Sequence, residues 1–441
     1  MTATRIVIVG GGYVGMYTAL GLQRKLSRGA AEITVVEPQS NMTYQPFLPE
    51  AAAGSVEPRH VVVSLRRVLK HCNVITGAVS CIKHANKSVT VQPSDGEPYE
   101  LGYDVLVVCP GSISRILPIP GLAERGIGFK TIGEAIYLRN HVLSRLDLAA
   151  STTDPVKRRA ALTFLFVGGG YAGVEALAEL EDMARYALRY VPQIEPAEMR
   201  WILVEAASRI MPEVSVRLSS YTVDRLLERD IDVRLDTRLE SAVDGHIVLS
   251  DGERFDAETL VWTAGVKANP VLADSDLPLD DKGRVPCRAD LTVKGLTGVF
   301  AAGDCAAVPD LSKHDPNATT GPSAQHAVRQ AKVLAANVAS YLHGGALRDY
   351  KHAYAGSVAS LGLYRGVAEI YGIKLRGFVA WFMHRTYHVS RMPTLNRKVR
   401  IVADWTGALL FRREVVALGQ LQRPRTEFQQ AAGQRELPDV S

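Results

Sequence analysis

Two glycine-rich turns restrict this chain more than any other feature. Each stands between an apolar strand and a helix, and each is answered by a glutamate at the end of the following strand. Arg5-Ile-Val-Ile-Val9 reads as a short buried parallel strand, Gly10-Gly-Gly-Tyr-Val-Gly15 follows directly, and a helical stretch runs on through Leu26. In such a turn Gly10 bends the chain tightly, Gly12 lets backbone approach a pyrophosphate, Gly15 packs helix against strand, and the helix N-terminus faces the phosphate. The next strand, Glu32-Ile-Thr-Val-Val-Glu37, ends in a carboxylate placed to accept hydrogen bonds from ribose hydroxyls. The device then recurs. Leu162-Thr-Phe-Leu-Phe-Val167 leads into Gly168-Gly-Gly-Tyr-Ala-Gly173, with Gly168, Gly170 and Gly173 in the same three roles, and Glu205 closes the strand Arg200-Trp-Ile-Leu-Val-Glu205. The second interval exceeds the usual spacing of roughly 20 residues, so the helix from Val174 to Tyr190 must be extended or followed by a loop containing Pro192 and Pro196. Glycines serving only close packing would explain either turn alone, but not a carboxylate at both strand ends. Glu205 predicts preference for a free ribose 2′-hydroxyl over a 2′-phosphate, hence NADH over NADPH, with Arg209 the nearby cation that can offset it.

Composition agrees with a folded enzyme of two or three domains: 441 residues, 47% hydrophobic and 22% charged. A net charge of +5 implies no nucleic-acid partner. Cys72, Cys81, Cys109, Cys287 and Cys305 form no C-x-x-C pair and no zinc spacing, so no metal is expected and a reduced, cytosolic setting fits. The uncharged run from Ile6 to Gln23 resembles a membrane span only until its three turn glycines are noticed.

With both turns in place, further segments resemble the pyridine-nucleotide flavoprotein reductases of the glutathione-reductase type and, within them, the type II NADH dehydrogenases. Tyr103-Asp-Val-Leu-Val-Val-Cys-Pro-Gly-Ser112 is similar to the strand and turn, ending at Gly111, that leaves the FAD domain; Cys109 and Pro110 replace the small residue and threonine usual there. Leu260-Val-Trp-Thr-Ala-Gly-Val266, with Gly265, is similar to its counterpart leaving the NADH domain. Gly298-Val-Phe-Ala-Ala-Gly-Asp-Cys-Ala306 carries Gly303 and Asp304, and the resemblance assigns Asp304 to the ribityl and pyrophosphate part of FAD. Gln39 to Leu69 contains no cysteine, which excludes the disulfide reductases of this group. Asn41-Met-Thr-Tyr-Gln-Pro-Phe-Leu-Pro-Glu50 and Glu57-Pro-Arg59 resemble instead the segment that type II NADH dehydrogenases place beside the flavin. Thr320-Gly-Pro-Ser-Ala-Gln-His-Ala-Val-Arg-Gln330 resembles their quinone-site helix, matching Ala324, Gln325 and Gln330, with Arg329 in place of the first of two adjacent glutamines. His326 and Arg329 can each donate to a quinone carbonyl or simply be solvated.

The resemblance implies an α/β protein with two Rossmann-like dinucleotide-binding domains and a C-terminal amphipathic helical region that binds membranes. The implied activity is FAD-dependent oxidation of NADH with two-electron reduction of a membrane quinone, menaquinone or ubiquinone, in a respiratory chain without proton pumping. Glu175 is the expected nicotinamide-ordering and proton-relaying residue, with helix capping as the bland alternative. Other acceptors stay open: a sulfide:quinone oxidoreductase using Cys109 and Cys305, a ferredoxin-type reductase, or a redox-responsive flavoprotein without turnover.

The last quarter changes texture. Between Lys374 and Arg413 nine lysines and arginines face the single acid Asp404. Tyr354 to Gly362 and Gly366 to Tyr371 read as two strands. On a helical wheel Phe378, Val379, Phe382, Met383 and Val389 then share one face, opposite His384, His388 and Arg391. A second helix, past Pro393, gathers Val399, Val402, Ala403, Leu409 and Leu410. The pattern suits an anionic bilayer surface, or else a cover for the flavin domain or a dimer interface. A peripheral homodimer on the cytoplasmic membrane face is the resulting expectation. Expected boundaries are residues 1–115 with 285–350 for FAD, 116–284 for NADH, 351–419 for the C-terminal strands and helices, and 420–441 as a disordered tail.

Overall fold

The computed structural model describes residues 3–352, 356–411 and 413–418, together with Gln429 and Ala431. Tyr354, where the first C-terminal strand was expected to begin, and nearly all of the expected tail lie outside the described residues. The chain forms two compact units: Met1–Tyr44 with Val62–Arg115 and Gly265–Ala355, and Gln45–Val61 with Ile116–Ala264 and Gly356–Ser441.

The first unit is built on a seven-stranded sheet. Its order in space is Val299–Ala301, Val105–Val108, Thr4–Val9, Ala31–Glu37, Asn73–Lys83, Ser88–Pro93 and Tyr99–Gly102. The first five strands are parallel and the last two antiparallel. The β-branched run Ile6 to Val9 is buried on both faces, as a central parallel strand must be. Helix Tyr13–Lys25 packs on helix Ala324–Leu342 so closely that a Cβ on Gly21 would lie 2.5 Å from that of Ala335.

The second unit repeats the plan with a five-stranded parallel sheet in the order Gly126–Gly128, Thr259–Trp262, Thr163–Val167, Arg200–Val204 and Ile231–Arg234. The long interval before Glu205 is filled by helix Tyr171–Ala187 and two 3-10 turns, Leu188–Tyr190 and Pro196–Glu198. At the C-terminus three strands form, not two, because the chain reverses at Gly372 (φ +82°) into Ile373–Arg376.

The units divide the chain differently from the expected boundaries. Residues 265–284 cluster with the first unit because Val266–Ala268 pairs with Ser112–Ser114, and because Asp276 accepts the backbone N–H groups of His84 and Ala85. Residues 45–61 cluster with the second, where Leu48, Ala52 and Ala53 join a core containing Leu138 and Leu177. The C-terminal strands form no separate body: Ala359, Leu361 and Val367 belong to that same core. Its two following helices are Gly377–Arg391 and Leu395–Leu410.

Candidate functional site

In the first unit, strand register brings three turns to one sheet edge. Val9 pairs with Val108, and Val108 with Ala301, so the residues following each emerge at the carboxyl ends of adjacent parallel strands, where ligands of open α/β sheets bind. Gly10 (φ +101°) donates its N–H to the Val36 carbonyl at 2.9 Å, and a Cβ there would lie 2.3 Å from the Cys109 carbonyl oxygen. A Cβ on Gly15 would lie 1.8 Å from the Gly10 oxygen, so the helix can approach the turn only as glycine. At Gly12, the N-cap of helix Tyr13–Lys25, a Cβ meets nothing within 4 Å. That open side, at a helix N-terminus, fits a pyrophosphate. Glu37 braces the turn: its Oε2 accepts the Gly11 N–H at 2.6 Å and its Oε1 the Gln39 N–H at 3.3 Å. Burial lifts the Glu37 carboxyl above its ordinary range, against the pull of those two N–H bonds.

The other expected residues of this unit gather there. Gly111 (φ +73°) leads to Ser112, whose hydroxyl donates to Asp304 at 2.6 Å. The N–H of Gly303 donates to Gln330 Oε1 at 2.7 Å, and Gln330 Nε2 donates to the Thr320 hydroxyl at 3.1 Å. Ala324 opens helix Ala324–Leu342, capped by the Ser323 hydroxyl. Gly265 accepts from the Arg115 N–H at 3.1 Å.

Gln330, expected at the quinone site, makes its hydrogen bonds within its own unit. It is fully buried, and both ends of its amide hold the Gly303 and Thr320 loops. Replacing it by leucine strands the Gly303 N–H and is expected to cost about 1–3 kcal/mol. A thermal melt lowered by a few degrees checks this, and an unchanged melt contradicts it. Gln325 and Arg329 lie one turn apart, the Arg329 guanidinium donating to both the backbone and side-chain oxygens of Gln325 at 3.2 Å. His326 turns to the other side, where its Nδ1 lies 2.8 Å from the Tyr350 hydroxyl.

In the second unit the turn is rebuilt almost atom for atom. Gly168 (φ +116°) donates to the Val204 carbonyl at 2.9 Å, a Cβ on Gly173 would lie 2.0 Å from the Gly168 oxygen, and Gly170 is open. Glu205 Oε2 accepts the Gly169 N–H at 2.6 Å and Oε1 the Ala207 N–H at 2.8 Å. Arg209 spends its guanidinium on the carbonyls of Pro212 (2.7 Å) and Val214 (3.2 Å).

Glu175 follows this turn on helix Tyr171–Ala187 and is 7% exposed. Its Oε1 accepts the Ser360 N–H at 2.8 Å and lies 3.1 Å from Nε2 of His384. The Ser360 hydroxyl donates to Glu179, and Glu50 and Arg385 are buried beside them. None of these neighbours stood out as a site residue in the sequence. The available signal was the spacing of Glu175, Glu179 and Asp182 at i, i+4 and i+7, one acidic face along a helix rich in alanine and leucine, a face that requires polar partners when buried. His384, opposite the apolar residues on the helical wheel, and its neighbour Arg385 are 1% and 7% exposed. The apolar Phe378, Val379 and Phe382 point outward, more than half exposed.

Cys109 and Cys305 are buried, with thiols on the carbonyls of Gly10 and of Val108 and Ala302. Burial pushes Cys305 up to about 12 and Cys109 well above the ordinary thiol value, which disfavours the thiolate at both.

The chain is similar to known proteins along most of its length. The chain is 28% identical over 97% of its length to the type II NADH:quinone oxidoreductase of Mycobacterium tuberculosis, covering 93% of that protein. It is 28% identical over 86% of its length to the type II NADH:quinone oxidoreductase of Staphylococcus epidermidis, again covering 93%. Its fold superimposes on NDH2 from Plasmodium falciparum, solved in complex with NADH, with a TM-score of 0.86 at 16% identity, covering 94% of this chain and 99% of that one. The family model for pyridine nucleotide-disulphide oxidoreductases matches residues 4–331. That span takes in both glycine turns, both bracing glutamates and the Gly303-Asp304 loop, and the chain belongs to the pyridine nucleotide-disulphide oxidoreductase family.

Proposed function

We propose that this protein is an FAD-dependent NADH:quinone oxidoreductase that works without proton pumping. The observation that carries the reading is the doubled turn, in which Glu37 and Glu205 each hold the second glycine's N–H of their own turn. Naming of the full-length relatives supports NADH as donor and quinone as acceptor. When bound, the flavin supplies the hydride acceptor and passes two electrons on. The chain's own residues do the rest. Gly10, Gly12, Gly15, Glu37, Gly111, Gly303, Asp304 and Ala324 are the residues that would hold FAD. Gly168, Gly170, Gly173 and Glu205 would hold NADH, with Arg209 tied back. Glu175 orders the nicotinamide and moves protons, because a quinone takes up two on becoming a quinol; Gln325 and Arg329 are the polar groups that would meet it. Anaerobic mixing with NADH or NADPH, followed by menaquinone and ubiquinone analogues, tests donor, flavin and acceptor together. Flavin that NADH reduces but no quinone reoxidises overturns the reading.

The site of action we propose is the cytoplasmic surface of an anionic membrane, reached as a homodimer. No helix among the described residues is long and apolar enough to cross a membrane. What supports surface binding is the outward apolar side of the C-terminal helices, where Phe378, Phe382, Val399 and Leu410 are 57%, 56%, 60% and 74% exposed, with Arg391 and Arg400 exposed among them. These helices cannot simply be cut away to test this, since Trp381, His384, Arg385 and Ile401 are buried in their own unit. Serine at Phe378, Phe382 and Leu410 removes the outward face alone. At about 1.5–3 kcal/mol for each side chain fully buried, vesicle affinity should fall at least about 100-fold with flavin absorbance unchanged. Undiminished cosedimentation of this triple variant with anionic vesicles contradicts the anchor.

A further inference from the structure

Beside Glu175 the second unit buries more charge than the proposed reaction uses. Glu50, on the short helix Leu48–Ala52, is 1% exposed. Its Oε2 accepts the indole N–H of Trp405 at 2.7 Å and lies 3.4 Å from Nη2 of Arg385, while its Oε1 lies 4.0 Å from Nδ1 of His384. The other nitrogen of that ring faces Glu175 at 3.1 Å. One imidazole thus stands within ion-pair distance of two carboxylates on different helices, one near each of its nitrogens.

The surroundings fix its charge. Glu179, 0% exposed, adds a third acidic group, while Arg385 is held between the rings of Trp381 and Trp405 at 4.2 and 4.9 Å. Arg413 acts on Glu179 from farther along the chain. Buried carboxylates in excess of fixed cations favour proton uptake by a histidine among them. Burial pulls the His384 imidazole down, but the contact with Glu175 and the charges of Glu175, Glu50 and Glu179 outweigh it and hold the ring above the ordinary histidine value. His388, one turn on with its ring 4.6 Å from that of His384, goes the other way: burial and the His384 charge keep it well below that value.

We propose that Glu50 is a positioning residue for the Glu175–His384 pair: its carboxylate, held by the Trp405 indole with Arg385 alongside, faces the ring from the side opposite Glu175 and keeps the imidazole placed against Glu175. The proposal deepens the reading of Glu175 as proton donor and rests on it. Glu175 rests as a carboxylate beside the ring: the Nε2–H bond of His384 breaks as an O–H bond forms on Glu175, and that O–H bond breaks in turn as the proton passes to the reduced acceptor. The ring is left neutral opposite Glu50, and it regains its proton from solvent.

The test is a pH titration of the His384 ring by NMR in flavin-loaded protein carrying 13C-labelled histidine, the resonance being assigned by its loss in His384→Gln. Glu50→Gln keeps an oxygen for the Trp405 indole and removes the charge. It should lower the His384 midpoint by about one pH unit or more, and move the alkaline limb of quinone turnover toward acid by a similar amount. Should Glu50→Gln not accumulate folded, Glu50→Asp sets the carboxylate farther away and should shift both in the same direction by less. An unmoved midpoint overturns the proposal, and a moved midpoint with an unmoved turnover profile overturns the positioning role. The titration is read without NADH or quinone, so failure of the quinone reading is seen separately, as absent wild-type turnover.

Discussion

Glu175→Gln is expected to slow quinone-coupled turnover by about two to four orders of magnitude, the usual contribution of a positioned acid or base, while NADH still reduces the flavin. The substitution is nearly isosteric. Glutamine can still accept the Ser360 N–H that Glu175 now takes at 2.8 Å, so the backbone at Ser360 has no reason to move. It cannot carry a proton, and it cannot balance the His384 ring 3.1 Å away. Stopped-flow spectra separate the two half-reactions, and wild-type quinone turnover in this variant would falsify the assignment. The loss should also show in stability, with a defined sign. A histidine whose folded value is raised contributes stability that is complete below its unfolded pKa of about 6.5 and disappears as pH rises through the folded value. Burial lowers the His384 value and Glu175 is the foremost group raising it, so removing that charge brings the value down. The melting temperature of Glu175→Gln should therefore fall furthest below wild type on the acid side and approach it in alkali.

Alanine at Gly15 should empty the flavin site, and alanine at Gly173 should abolish tight NADH binding while the protein stays yellow. In each case the new Cβ would lie within about 2 Å of a backbone carbonyl oxygen, that of Gly10 (1.8 Å) or Gly168 (2.0 Å), and neither atom can swing aside as a side-chain end would. The helix must withdraw from the turn, carrying its N-terminal N–H groups off the phosphate position. Overpacking of this kind costs about 1–3 kcal/mol, on the order of 10- to 100-fold in affinity, before the displaced phosphate contacts are added. Gly12→Ala is the control. Its backbone (φ −67°, ψ −153°) is open to any residue and its Cβ would meet no protein atom, so the protein should melt as wild type does and lose only the ligand. Full flavin occupancy in Gly15→Ala, measured as the ratio of visible to ultraviolet absorbance, would show that the turn tolerates the side chain.

Much of the dinucleotide machinery was legible because its requirements are local. A β-branched strand, glycines at fixed offsets and a glutamate on the next strand all fall within some 40 residues, and register does the rest: Val9 beside Val36, Val167 beside Val204. The Gly303-Asp304 loop was legible only through family resemblance, since an apolar strand ending in Gly-Asp is also an ordinary turn. The role of Gln330 was not legible, because the same helix position can face a ligand or a neighbouring loop. What decides is the Gly303 N–H standing 2.7 Å away.

By itself, then, the sequence determined two nucleotide-binding turns, the glutamate that braces each, and a C-terminal pair of helices with one apolar and one polar side. It could not say which side of the helix Gly377–Arg391 would be inward. Periodicity defines a face without defining what it meets. Only the tertiary structure turned His384 and Arg385 inward, because Glu50, Glu175 and Glu179, contributed by two other helices, leave buried negative charge that apolar side chains cannot balance. The division into units was settled the same way. Residues 45–61 and 265–284 follow the neighbours that satisfy their backbone and bury their side chains, whatever their place in the chain.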